Sequence, residues 1–410
     1  MEKRINFAWP VTTLCKFDYE ALKKCVEANK ELLSKKKIVI FGAGIRGTAF
    51  SILLQKFGFD DIVFTDNNEQ KTGGLINEFR IISYREVEKI KDEAVVIISV
   101  ENGFSLKEQL ERSGFIENVN YFYIESHLYD YYLTEFLDRK EVNTLIMGDC
   151  GITDISKKDT QYINLGEMLK KQLGVNCTKV LAVHAMGMRA FYHVLSAHIK
   201  YISMPSQVVV MANLETFTGK QHLLPRSQHA RLIQMLSNSV NNQDVELQEY
   251  ARITKERFDN FRVDYFASSQ SALREMSKEK NDRIVIRMNY MYDLKEDNEC
   301  IVYMKKMMGM CKQYNIKLLL FIPPVNYMYA EELYGNVFRE KYRENVKKLQ
   351  DIIENENVEL LDLSFLLKSE QFADVHTIDE TTNFEGRKLV SSKIIEKINA
   401  WSAESEEKYS

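Results

Sequence analysis

Short apolar runs alternate with amphipathic stretches along the chain. Residues 37–41 (KIVIF) read as a buried strand, and residues 48–57 as a helix whose Phe50, Leu53, Leu54 and Phe57 recur at i, i+3, i+4 and i+7. Further strands are expected at 61–65 and 94–99, the second followed by a loop with Asn102 and Gly103 and a helix running through Leu110. About four strands alternating with helices predict a small parallel sheet that ends near Ile124. Residues 125–141, rich in Tyr and charge, read as a joining helix. A second series opens at 144–148 (TLIMG) and continues with strands at 179–183, 207–211, 317–322 and 358–362, separated by long helical patterns. Residues 223–280 read as a helical, polar covering segment, and the tail past Trp401 is expected to fray. The pattern predicts an α/β protein of two parallel-sheet, three-layer domains. A helical segment (1–35) precedes a smaller domain (36–125), and a connector (126–142) leads to a larger domain (143–401) and a tail (402–410).

Composition narrows the function classes. Of 410 residues, 45% are hydrophobic and 28% charged, which excludes a disordered chain and a collagen. The net charge is -4, from 55 basic and 59 acidic residues, so no basic excess is present to neutralise nucleic-acid phosphates. The six cysteines are scattered, with no CxxC and no metal-ligand spacing. Free thiols and no metal site are expected. No run approaches the ~18 apolar residues of a membrane span, and residues 1–10 lack a signal peptide's apolar stretch, so a cytoplasmic protein is expected. Homo-oligomerisation is compatible with this composition.

Two constellations carry chemistry. The first is Gly42-Ala-Gly44-Ile-Arg46-Gly47, between the first strand and its helix. Gly42 suits a tight turn, Gly44 a close approach of backbone to a phosphate, and Gly47 close packing of helix on strand. Helix N–H groups favour an anion there, with Arg46 inside the loop. Asp66, 24 residues after Gly42, stands near the distance at which an acid meets a ribose hydroxyl. The short unit and the absence of a following Tyr-x-x-x-Lys argue against an ordinary dehydrogenase. With Gly73, Gly74 and the segments 64–68 and 79–82, residues 36–125 resemble the small nucleotide-sugar-binding domain at the front of bacterial amino-sugar acyltransferases. That resemblance implies a Rossmann-like domain holding a nucleotide or nucleotide-sugar. A scaffold with an empty pocket is the alternative.

The second constellation begins at Gly148-Asp-Cys150-Gly151, where a strand end presents a thiol at the carboxyl edge of an open sheet. Gly187 and Asn213 end the next two strands, and an oxyanion could be held by the Gly187 N–H and the Asn213 amide. Near the C-terminus stand Pro323-Pro324-Val-Asn326, then Asp374, His376, Asp379, Thr381, Asn383, Gly386 and Arg387. The order Gly-Asp-nucleophile, Gly, Asn, late acidic and basic block resembles the SGNH (GDSL-type) hydrolases over about 143–400. The likeness implies a flavodoxin-like larger domain that hydrolyses or transfers an acyl group on a sugar or glycan, with Cys150 as nucleophile. Aligning Asn383, Gly386 and Arg387 with the family pattern puts Thr381 where the catalytic histidine belongs. His376 is then the expected base, oriented by Asp374 or Asp379, with His184 as the other candidate. A helix N-terminus after Gly151 would lower the thiol pKa. The rival reading is a domain that has lost catalysis and binds a nucleotide-linked sugar or a partner enzyme. His193 and His198 are expected to pack, and Met304, Met307 and Met308 to form a core stripe.

Overall fold

The computed structural model describes residues 13–100, 103–124, 128–156, 159–184, 186–218, 229–240, 244–259, 277–354, 358–378 and 381–407. The chain divides into two compact units, Met1–Leu128 and Tyr129–Ser410. Both are α/β, with sheets that are mostly or wholly parallel.

In the first unit, apolar runs bounded by polar turns form the strands. Helices α1 (Lys16–Ala28) and α2 (Lys30–Lys35) precede β1 (Lys37–Phe41), α3 (Ile45–Lys56), β2 (Ile62–Thr65), β3 (Leu75–Ile76), β4 (Phe79–Ile82), α4 (Tyr84–Lys89), β5 (Ala94–Ile98), α5 (Phe104–Arg112) and β6 (Tyr121–Tyr123). The sheet has six strands in the order β3-β4-β2-β1-β5-β6, where about four were expected. The additional ones, of two to four residues, are too short to show a period. All pairs are parallel except the β3–β4 hairpin. Strand β5, and β1 after its first residue Lys37, are apolar and buried, as strands covered on both faces must be. The chain runs from β1 outward to β2, then returns to β5 on the other side of β1. That reversal is the switch point at which open α/β sheets bind ligands.

In the second unit, α6 (Leu128–Leu137) is followed by β7 (Thr144–Gly148), a single turn α7 (Cys150–Thr153), α8 (Leu165–Leu173), β8 (Thr178–Ala182), α9 (Met188–Tyr201) and β9 (Gln207–Met211). Helices α10 (Ala230–Ser239), α11 (Val245–Asp259), α12 (Lys278–Asn289) and α13 (Glu299–Gln313) intervene before β10 (Lys317–Ile322). Then come α14 (Tyr327–Tyr334), α15 (Asn336–Ile353), β11 (Val358–Asp362) and α16 (Phe384–Glu407). The sheet order is β8-β7-β9-β10-β11, wholly parallel. Numbered by appearance this is 2-1-3-4-5, the flavodoxin-like doubly wound order. On one face α8 and α16 pack Leu165, Leu169, Val390 and Ile394 over Ile146, Val209 and Phe321. Met304, Met307 and Met308 of α13 are buried, as a core stripe requires. Helix α16 continues to Glu407, so the chain past Trp401 is helical rather than frayed. Lysine 179 is fully buried and caps the end of α6, donating to the Phe136 carbonyl at 3.1 Å and to that of Asp138. Those carbonyls have no partner inside the helix, which is why a buried ammonium is tolerated there. Among the described residues no helix is long and apolar enough to cross a membrane.

Candidate functional site

The glycine loop joins β1 to α3. Gly42 turns with φ +119°, a conformation open to glycine and costly for other residues. A Cβ on Gly47 would lie 2.1 Å from the Gly42 carbonyl oxygen, so helix and strand meet as closely as expected. At Gly44 an added Cβ would meet nothing within 4 Å, leaving the backbone approachable. The N-terminus of α3 at Gly44 has no side-chain cap. Ser99 Oγ donates to the carbonyls of Phe41 and Gly42 at 3.1 and 3.0 Å, clamping the loop to the end of β5.

Asp66 is engaged with the loop itself. Its Oδ2 accepts the Ala43 N–H at 2.9 Å and pairs with Lys71 Nζ at 2.7 Å, and its Oδ1 accepts the Asn68 N–H at 2.9 Å. Lys71 also donates to the Ala43 carbonyl at 3.1 Å. The sequence reading missed Lys71. Its signal was a lysine five residues beyond the acid, in the loop leaving β2. Arg46 turns away from the role expected of it. It holds Asp18 of α1 through Nε at 3.1 Å and Nη2 at 2.9 Å, reaches the Val100 carbonyl at 3.3 Å and covers the Phe50 ring.

In the second unit, β7 is central, in register Gly148↔Ala182 with β8 and Met147↔Val210 with β9. Their carboxyl ends therefore lie side by side. Asp149 follows β7 and is 2% exposed. Its Oδ1 accepts the Gly151 N–H at 2.9 Å and its Oδ2 accepts Asn213 Nδ2 at 2.8 Å. Asn213 Oδ1 accepts the Glu215 N–H at 2.9 Å, so the amide is held at both ends and one amide hydrogen is committed to Asp149. Burial raises the Asp149 carboxyl above its ordinary range; the Gly151 and Asn213 bonds oppose this, Asp154 adds to it and His184 opposes it.

Cys150 is half-buried and begins α7. That helix is one turn long and lacks the aligned dipoles that were expected to depress the thiol. Asp154 stands immediately after α7, four residues from Cys150. His184, two residues beyond β8, meets it with Nε2 2.6 Å from Asp154 Oδ1. The carboxylate side chain is 7% exposed and the imidazole 24%. Thr153 Oγ1 donates to the same carboxylate oxygen at 3.1 Å. Gly187 is the N-cap of α9 with extended φ of -124°. A Cβ there would touch only Thr216 at 3.9 Å, so packing does not demand glycine.

The C-terminal block serves packing. Arg387 is fully buried, paired to Asp159 and bonded to the carbonyls of Ile163 and Thr382. Asp159 also accepts the N–H groups of Ser156 and Phe384, both at 2.9 Å. A Cβ on Gly386 would lie 2.4 Å from the Gln371 carbonyl oxygen, and Asn383 bridges Glu370 and Gly386. Thr381 is buried, its carbonyl bonded to the Ala373 N–H at 3.0 Å. His376 is exposed and its ring lies edge-on to Tyr329. Asp374 bonds the backbone N–H of His376 at 2.9 Å, not its imidazole, which corrects the expected orienting role. The Asn326 amide grips the carbonyls of Asp374, Val375 and Thr377. Asp379 lies outside the described residues.

What the second site can do follows from its groups. It joins a half-buried thiol, a hydrogen-bonded imidazole–carboxylate pair and a buried carboxylate held by an amide at one sheet edge. Among the described residues no cluster has the makings of a metal site. A family model described as C2185-like, N-terminal, matches residues 34–119, within the first unit. No curated protein matches the chain.

Proposed function

We propose that the protein tailors a surface polysaccharide, its second unit acting as an SGNH-like ester hydrolase or O-acyltransferase on an acylated (acetylated) sugar with Cys150 as nucleophile. One observation carries the reading. Cys150 sits half-buried at the carboxyl end of the first strand of a 2-1-3-4-5 sheet, beside an Asp149 held by Gly151 and Asn213. In this reading Cys150 attacks the acyl carbon. The N–H groups of Cys150 and Gly187 and the remaining Asn213 amide hydrogen receive the oxyanion. The first unit holds the nucleotide part of a nucleotide-sugar at Gly42–Gly47, at the switch point of its sheet. A cytoplasmic location suits a nucleophilic thiol, and Cys25, Cys150, Cys177, Cys300 and Cys311 are in no disulfide. Turnover of p-nitrophenyl acetate and of acetylated sugars by wild type and Cys150→Ala tests the reading. Loss of turnover to the buffer background in the variant is expected; equal rates overturn it.

A second reading is favoured by the burial of Thr381, the residue at the matched histidine position. Here the second unit is catalytically silent, and the protein binds a nucleotide-sugar for a partner enzyme. Thermal stabilisation by UDP-sugars, with no turnover of any acylated sugar, would select it.

A further inference from the structure

The acyl-transfer reading lacks a base where its family resemblance looks for one. The only imidazole with a carboxylate on its ring among the described residues is elsewhere. We infer that His184 is the general base and acid for Cys150 and that Asp154 is its positioning residue, an arrangement resting on the acyl-transfer reading above.

Two geometric observations bring the groups to one strand end, and an electrostatic one accords with them. The β7–β8 register ends at Gly148↔Ala182, and the Val183 N–H still bonds the Gly148 carbonyl at 3.3 Å. Cys150 and His184 each follow their strand by two residues, so these neighbouring parallel strands deliver both to one carboxyl edge. Next, the single turn α7 leads to Asp154, its extended C-cap four residues after Cys150, and Asp154 is bonded to His184. Last, the carboxylate of Asp149, next to Cys150 in the chain, feels both the Asp154 and the His184 charges.

The His184–Asp154 bond of 2.6 Å through Nε2 has the short length of a charge-assisted contact and orients the ring. The proton then exchanges at Nδ1. In the first half-reaction Nδ1 takes the Cys150 S–H proton as sulfur forms a bond to the acyl carbon. The tetrahedral adduct collapses with cleavage of the acyl C–O bond, and the imidazolium returns its proton to the departing sugar oxygen. A thioester remains on Cys150. In the second half-reaction water, or the hydroxyl of another sugar, gives its proton to Nδ1 and adds to the thioester carbon. The C–S bond breaks, and the sulfur recovers the proton. Asp154 holds the ring in place and stabilises the imidazolium.

The experiment compares wild type, His184→Asn, Asp154→Asn, His376→Asn and Cys150→Ala, each confirmed folded by circular dichroism. Two readouts are taken. One is the pH dependence of iodoacetamide alkylation at Cys150, followed by mass spectrometry of its peptide so that other thiols do not interfere. The other is kcat and KM on p-nitrophenyl acetate. In His184→Asn and Asp154→Asn the alkylation midpoint is expected to move to that of an ordinary thiol, about 8.5. In the same two variants kcat should fall by about 10²–10⁴ with KM little changed. His376→Asn should keep the wild-type profile. Folded His184→Asn with unaltered midpoint and kcat overturns the inference, and so does a kcat loss confined to His376→Asn. Undiminished turnover in Cys150→Ala overturns the acyl-transfer reading instead, whatever the alkylation profile shows.

Discussion

Arg387 and Asp159 form an ion pair in which each side chain is 1% exposed. Every guanidinium nitrogen and both carboxylate oxygens have partners, so the pair meets the condition under which a buried charge is tolerated. Arg387→Met removes one charge and strands the other. Urea unfolding of the variant should show the second unit destabilised by about 3–5 kcal/mol. A change below ~1 kcal/mol would mean that water or relaxation rescues Asp159. The pattern Asn383, Gly386, Arg387 was legible in the sequence, but its meaning was not. Each residue has a packing or hydrogen-bonding reason to be there, so the match reports how α16 is docked and says little about catalysis. The reverse holds for His184 and Asp154. Thirty residues separate them, and only the closing of β8 against β7 makes them neighbours.

At the scale of elements, the glycine loop separates packing from access. Gly47→Ala drives a methyl into the Gly42 carbonyl and Ser99 Oγ. A cost of about 1–3 kcal/mol to the first unit is expected in chemical denaturation. Gly44→Ser behaves differently. The site is an N-cap with extended backbone, φ -117° and ψ -170°, and no steric contact within 4 Å. A serine there supplies the missing cap, so stability should hold or rise by a few tenths of a kcal/mol. If a phosphate approaches this backbone, thermal shifts by nucleotide-sugars should be lost in Gly44→Ser although the fold is intact; retained shifts would place the ligand elsewhere. Legibility at this scale followed apolar run length. Strands β7, β9, β10 and β11 have the boundaries expected, because each carries a run of apolar residues bounded by polar or turn-forming ones. Strands β3, β4 and β6 escaped, since residues paired at a sheet edge carry no comparable run.

For the whole molecule, histidine placement divides the two units by pH. All seven histidines follow residue 126, and His127 alone belongs to the first unit. In the second unit, burial, aided by Arg189, lowers His193 from 6.5 to about 3, and burial, aided by Lys179, lowers His198 from 6.5 to about 4. The packing expected of both is what holds them neutral. His193 stacks on Tyr250 at 4.3 Å, and His198 lies against Lys179 and the Ser203 carbonyl. Unfolded, each takes a proton below about 6.5; folded, each resists until about 4 or lower. Between those values the unfolded state binds more protons, so stability falls as pH falls, and the contribution is complete only above 6.5. At pH 5 the loss amounts to roughly 2 kcal/mol at most for each histidine. Melts between pH 7 and 4.5 should therefore show the second unit weakening ahead of the first. His193→Phe is the informative variant, because it keeps the stack on Tyr250 and removes the titration. His193 Nε2 has no hydrogen-bond partner among the described residues, so no bond is lost at that atom. A flatter pH dependence of the second unit's transition in this variant, at undiminished stability near pH 7, is the expected outcome. An unchanged slope would assign the acid sensitivity to carboxylates held below their ordinary range, such as Asp244, rather than to the buried imidazoles.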